Sequence, residues 1–363
     1  MKSLKITTLD RYIIRQFLGT YIFAIAMILV ISIVFDVAEK IDDFLADDVS
    51  LHDIIFDYYL NFIPYFANLF SPIFVFISVI FFTSKMAGRS EIIAILASGI
   101  SFRRLLYPYI LTATIIFAVS VYLSNFIIPN ANDKRLKFEA AYIRTPGYSD
   151  TYNVHLQMRP GYFVYIRSYD SDRQTAYSAT VESIRNNRLQ SKFWANFLVW
   201  DSVKQAWTAN QWYSRALLPQ HDSLQHGADL DTAIFLLPSD LRRSQKAVQT
   251  LDYHSLNSYI EQQKLQGVSD INNSLVEKYS RTAAPFATFI LSVIGVAVSS
   301  RKRRGGTGIH ITIGLIISFS YILLMRFAMM FSIGGGLSPL LATWIPNLIF
   351  TVVAYALYRL ASR

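Results

Sequence analysis

RYIIRQFLGTYIFAIAMILVISIVFDVAEKIDDFLADD, residues 11–48, opens with arginines, runs mostly apolar from about Tyr12 to Phe35, and ends in six acids around one lysine. About 20 apolar residues in a helix cross a bilayer core, so this stretch predicts a transmembrane span. It is too long for the apolar part of a cleavable signal peptide, and no small-residue cleavage site follows. The basic start and acidic end also give it a direction, since lysine and arginine in short loops favour the cytoplasmic side.

Five similar blocks follow: about Ile54 to Phe82 with Pro64 and Pro72, Leu105 to Ile128, Ala283 to Val298 with a helical lead-in from Asn272, Ile309 to Ile333, and Leu340 to Leu360. Of the 363 residues, 53% are hydrophobic and 16% charged, against about 25% charged in ordinary globular chains. The formal charge of +9 fits membrane topology better than nucleic-acid binding. Lys2, Lys5, Arg11 and Arg15, then Lys85, Arg89, Arg103 and Arg104, then Arg301 to Arg304, Arg359 and Arg363 fall on one side. The opposite short loops hold only Lys40, among Asp36, Glu39, Asp42, Asp43, Asp47 and Asp48. The expected fold is an α-helical membrane protein with six transmembrane helices in two groups of three, both termini cytoplasmic. Residues 1–128 hold the first three spans and 271–363 the last three.

Between them, 129–270 read as a soluble, β-rich insert outside the cytoplasm. Tyr162 to Tyr169, Ala176 to Ile184, Leu189 to Trp200 and Trp207 to Leu217 alternate and are rich in aromatics, which is strand chemistry. Asn186-Asn187 predicts a tight turn. Strands at this spacing suggest a sandwich, jelly roll or curved sheet. Ser255 to Leu265 predicts a helix ended by Gly267. Phe163, Tyr165, Phe193, Phe197 and Trp212 would line a groove for acyl chains or, more simply, form the sheet core.

No cysteine is present, so there is no disulfide framework or thiolate metal site. No metal site, phosphate loop or catalytic triad context is found; Gly305-Gly306-Thr307-Gly308 lacks the lysine such a loop needs. The chain therefore reads as non-enzymatic, with no cofactor or metal of its own. The segment SKMAGRSEIIAILASGISFRR, residues 84–104, is unusual for a cytoplasmic loop. Ser90 would cap a short helix starting near Glu91. Ile92, Ile93, Leu96 and Ile100 would form one apolar stripe, and Gly99 would end the helix. Such a helix fits docking of a partner and lying flat on lipid equally well. Arg326, deep in the fifth span, would face a protein interior, a wet cavity or an anionic substrate, or snorkel in an ion pair. Lys40 would meet a lipid phosphate or, more simply, pair with Asp36 or Asp43.

Together these features resemble the LptF/LptG permease family of the lipopolysaccharide-export transporter. LDRYIIRQF at the start is more LptG-like, SEIIAILASGIS fits the segment after span two, and LNSYIEQQKLQG leads to VEKYSRTAAPFA at span four; PLLATWIPNLIF fits less closely. The resemblance covers nearly the whole chain. It implies that about 88–100 form the coupling helix of a permease, seated on a dimeric LptB-like ATPase that holds ATP and Mg, with Glu91 as its acid. It also implies a second LptF/LptG-type permease, LptC-like and LptA-like periplasmic partners, an inner-membrane location, and an insert that is a periplasmic β-jellyroll passing lipopolysaccharide outward, with spans one and five at lateral gates. LptG-type members carry basic residues at the outer end of span one, where this chain carries mostly acids. The expected function is extraction of lipopolysaccharide from the outer leaflet of the inner membrane, driven by the partner's ATP. Two other readings remain at this point: a membrane-bound lipid-modifying enzyme, for which the acids from Asp36 to Asp48 are the best candidate site although they more simply read as an exposed helix end, or a scaffold for the periplasmic domain.

Overall fold

The computed structural model describes residues 6–46, 49–143, 150–170, 173–186, 188–218, 221–232, 236–241, 248–266, 271–300 and 306–362. The chain forms α1 (Thr8–Ala46), α2 (Leu51–Gly88), the short α3 (Glu91–Ala97) and α4 (Phe102–Tyr142). Six strands follow: β1 (Asp150–Arg159), β2 (Tyr162–Asp170), β3 (Thr175–Arg185), β4 (Arg188–Asp201), β5 (Ala206–Leu217) and β6 (Asp222–Thr232). The chain then makes one helical turn at Pro238–Leu241 and α5 (Tyr253–Gln266). It ends in α6 (Ile271–Ser299), α7 (Gly306–Ile333) and α8 (Pro339–Ala361). Among the described residues six helices, α1, α2, α4, α6, α7 and α8, are long and apolar enough to cross a membrane. The sheet lies between the third and fourth of them, as the sequence predicts.

The helices are longer than their apolar runs. The expected boundary at residue 128 falls inside α4, which continues to Tyr142. Pro129 sits at the start of this continuation, where its missing N–H is least costly. It also removes the donor that the Asn125 carbonyl would use in an α-helix, and the turn Leu123–Ile127 widens to a π-helix there. Ile128, Ala131, Asn132, Arg135 and Phe138 are buried along one face of the extension. The chain divides into two compact units, residues 1–143 with 275–363 and residues 144–274.

In the helical unit, polar side chains stitch neighbours. Tyr21 and Ser71 hydroxyls meet at 2.7 Å, and Thr83 and Tyr109 hydroxyls at 2.9 Å. Tyr321 donates to Asn347 (2.9 Å), whose amide donates to the Ala283 carbonyl (2.8 Å), tying α7, α8 and α6. In hydrocarbon such groups must find partners inside the protein. Close packing joins α2 to α6 and α7. A Cβ on Gly295 would lie 2.8 Å from Val79, and one on Gly314 would collide with Ile80.

The second unit is an antiparallel meander in the order β1-β2-β3-β4-β5-β6. Across it runs a row, Arg167, Ser178, Asn196, Gln211 and Ala228, where pairing is interrupted without a change of register. Ser178 and Gln211 take left-handed φ of 53° and 50°. The inward set slips by one residue at this row: Ile166 and Tyr169, Ala179 and Ala176, Ala195 and Leu198 are all core residues. The expected aromatic groove is split by strand register, which sets Phe163 opposite Glu182 and Phe193 opposite Val181. Phe193 and Trp212 pack on the core face, stacked at 6.1 Å, whereas Phe163 and Tyr165 alternate with the core residues Val164 and Ile166 and so face away. Trp207 is fully buried and donates its indole N–H to the Leu236 carbonyl at 2.7 Å, so the segment after β6 covers that end of the core. Of the expected turn, Asn186 has φ 50°. Asn187, the helix-ending Gly267, the basic run 301–304 and Gly305 lie outside the described residues.

Candidate functional site

The short helix α3 is punctuated at both ends. Helix α2 stops at Gly88, and Ser90 adopts φ 63°, a left-handed conformation. The expected Ser90 cap does not form: its side chain makes no capping hydrogen bond, because the cap geometry needs an extended backbone. Its carbonyl alone starts the helix, accepting from the Ala94 N–H at 3.0 Å. The capping serine here is Ser101, with ψ 151° and its oxygen accepting from the Arg104 N–H at 3.3 Å, which starts α4. Gly99 has φ 86° just past the helix, and its N–H bonds the Leu96 carbonyl at 3.1 Å. That is the left-handed stop the sequence predicts.

The expected single stripe is two faces. Ile92 is 1% exposed and belongs to one core cluster with Ile13 and Phe17 of α1, Phe82 and Met86 of α2, and Phe102 and Leu105 of α4; Ile95 packs against it. Ile93 is 52% and Leu96 36% exposed, with Ala97 beside them. The helix is bolted to the bundle by one face and presents an apolar face on the other. Exposed Lys85, Arg89 and Arg103 flank it in sequence. An exposed apolar face with a polar rim is suited to contact with a protein partner or with lipid.

Charged groups frame the same corner. Glu91 is half-buried; it accepts from the Tyr12 hydroxyl at 3.4 Å and lies 4.0 Å from Arg89. Arg104 grips Asp10 with two hydrogen bonds of 2.6 Å. Nothing in the sequence pattern pairs these two, 94 residues apart.

The remaining candidates are scattered. Lys40 pairs with Asp36 at 2.7 Å and donates to the Tyr58 hydroxyl. Tyr58 and Tyr59 donate to the same carboxylate at 3.2 and 3.1 Å. The local pairing, the simpler of the two sequence readings, is the one observed. Arg326 does not face the interior of this chain. It is exposed on α7 beside the exposed Leu323, Phe327 and Met330, and no acid pairs with it among the described residues. Phe163 and Tyr165 line a shallow groove of about 350 Å³ with His155, Glu182 and Lys192, on the face away from the sheet core.

Burial also ranks the spans. In their most apolar windows α1 is 17% buried and α7 22%, against 67% for α6. These two helices offer the widest apolar flanks, such as Phe23 and Phe35 on α1 and Phe319 and Phe331 on α7.

A family model described as lipopolysaccharide export system permease LptF/LptG matches residues 11–360. No curated protein matches the chain.

Proposed function

The chain belongs to the LptF/LptG family of lipopolysaccharide export permeases, a multi-pass inner-membrane family, and from that premise we propose that α3 is the element through which a separate ATPase drives it. The observation that carries this is the two-faced helix: Ile92 is sunk in the bundle while Ile93 and Leu96 are offered to a partner. A push on the outer face is transmitted to α1, α2 and α4 because the inner face shares their core.

In this reading the basic end of the bundle and both termini are cytoplasmic, following the lysine and arginine asymmetry, and the sheet is periplasmic. ATP and Mg belong to an LptB-like dimer, and Glu91 contacts it beside Ile93 and Leu96. Ser90 and Gly99 fix where the docking helix begins and ends. A second family permease completes the cavity against the two least buried spans, α1 and α7. Lipopolysaccharide enters there and is expelled when nucleotide-driven closure favours a narrower cavity; only a difference in contact between the two states moves the lipid. Arg326 lies about 10 Å along the axis from the Ile333 end of α7, which suits an anionic headgroup at the outer leaflet. Lys40 is already committed to Asp36, so Arg326 is the better candidate for that contact. The apolar face of the sheet, with Phe193 and Trp212, suits acyl chains. Its edge strands β1 and β6 suit extension by LptC-like and LptA-like partners.

Two substitutions test the docking role. Ile93→Asp places a charge in the proposed interface and costs about 2 kcal/mol or more of binding, roughly thirtyfold. Co-purification of the ATPase falls accordingly. Glu91→Lys leaves membrane insertion intact and lowers both ATP hydrolysis and lipid release. Unchanged ATPase recovery and export in both variants would reject the role.

A further inference from the structure

We infer that Asp10 and Arg104 are a positioning pair that locks the start of α1 to the first turn of α4, so that the two helices packed against Ile92 move together when α3 is pushed. The inference rests on the reading of α3 as the docking helix. Asp10 precedes the residues matched by the family model, and the case comes from geometry.

The carboxylate of Asp10 is 1% exposed and saturated. Arg104 donates two bonds of 2.6 Å, one to each oxygen, and Thr7 adds its N–H at 2.8 Å and its hydroxyl at 2.9 Å. The guanidinium is held in turn beside the Tyr107 ring, 5.1 Å from its centroid. A planar fork on a carboxylate fixes orientation as well as distance, whereas a lysine in its place would fix distance alone.

The pair sits where leverage is greatest. The first three turns of α1 touch α3 and the start of α4. Tyr12 reaches Glu91 at the start of α3, Ile13 and Phe17 share a core with Ile92, and Asp10 holds Arg104 in the first turn of α4. Beyond that corner α1 is the least buried of the spans. One face of α1 stays tied to α2 through Tyr21 with Ser71 and Asp36 with Tyr58 and Tyr59, while the opposite flank is open, so a hold at its start can turn that flank. Without the lock, α3 would still dock the ATPase while its motion dissipated in a loose α1 terminus.

The test uses the full permease assembly with its ATPase in proteoliposomes, comparing lipopolysaccharide released per ATP hydrolysed. Asp10→Asn keeps the side-chain shape and removes the charge. The ATPase remains bound, and release per ATP falls about fivefold or more, the scale of an ordinary coupling energy. The exchanged double variant Asp10→Arg with Arg104→Asp recovers most of the loss, and Arg104→Lys lies between. If Asp10→Asn does not assemble, Arg104→Lys carries the test, read by the same ratio. A mobility label on an introduced Ser98→Cys, in a chain with no native cysteine, loosens in the single variants and tightens in the exchanged one. An unchanged ratio in the assembled single variants, or a fall in ATPase binding and release together, overturns the inference. Loss of the docking reading shows separately, as retention of the ATPase by Ile93→Asp.

Discussion

Single residues here are decided by backbone and partner. Ser90 and Ser101 both precede helices, yet only the extended Ser101 caps, because a left-handed Ser90 cannot aim its oxygen at the helix amides. Lys40, which the sequence offers either to a lipid phosphate or, more simply, to a neighbouring acid, is held by Asp36 and Tyr58. Two variants probe packing at this scale. Trp207→Phe leaves a smaller aromatic ring in the core and the Leu236 carbonyl without its donor; the lost bond alone costs about 1–3 kcal/mol and the void adds to it, lowering the melting temperature of the sheet unit in calorimetry. Gly314→Leu drives a branched side chain into Ile80 and costs about 1–3 kcal/mol; heating the detergent-solubilised protein and following its size-exclusion peak reads the loss.

At the scale of elements, apolar length alone revealed all six spans, and alternation revealed β2 to β5. The edge strands β1 and β6 escaped because DTYNVHLQMR and DSLQHGADLDT carry polar residues where a central strand would be apolar. An exposed edge is protected from unwanted pairing in that way. The extension of α4 escaped because its residues are polar, although Ile128, Ala131, Phe138 and Tyr142 keep helical spacing. The aromatic set divides because pairing register, which no single strand reveals, sets Phe163 opposite Glu182 and Phe193 opposite Val181; the row at Ser178 and Gln211 then leaves Phe197 off the inward set, since Ala195 and Leu198 are the core positions of β4. Ser178→Val tests that row. A β-branched residue at φ 53° strains the backbone by about 1–3 kcal/mol, and urea unfolding followed by tryptophan fluorescence shifts its midpoint down. Around α3 the helix, its glycine stop and its apolar character were legible in the residue pattern. It could not tell which of Ile92 and Ile93 turns inward, since that depends on α1 and α4, far away in the chain.

For the whole molecule, the family match and the six spans define a membrane permease with an inserted sheet. In the proposed mechanism a mechanical link joins a soluble motor to lipid-facing helices. It would run from the outer face of α3 through Ile92 into the core, and along α1 to its exposed flank. Sequence showed the ends of this path and missed its middle, Asp10 with Arg104 and Tyr12 with Glu91, because pairs so distant in the chain leave no local pattern.

The most direct measurement is site-specific photocrosslinking in intact inner membranes, with a photoreactive residue placed in turn at Ile92, Ile93 and Leu96. Crosslinks to a cytoplasmic ATPase from 93 and 96, and far weaker ones from 92, are the predicted result. Crosslinks only to lipid at all three positions, or to periplasmic proteins, would contradict the claim that this helix couples the permease to its motor.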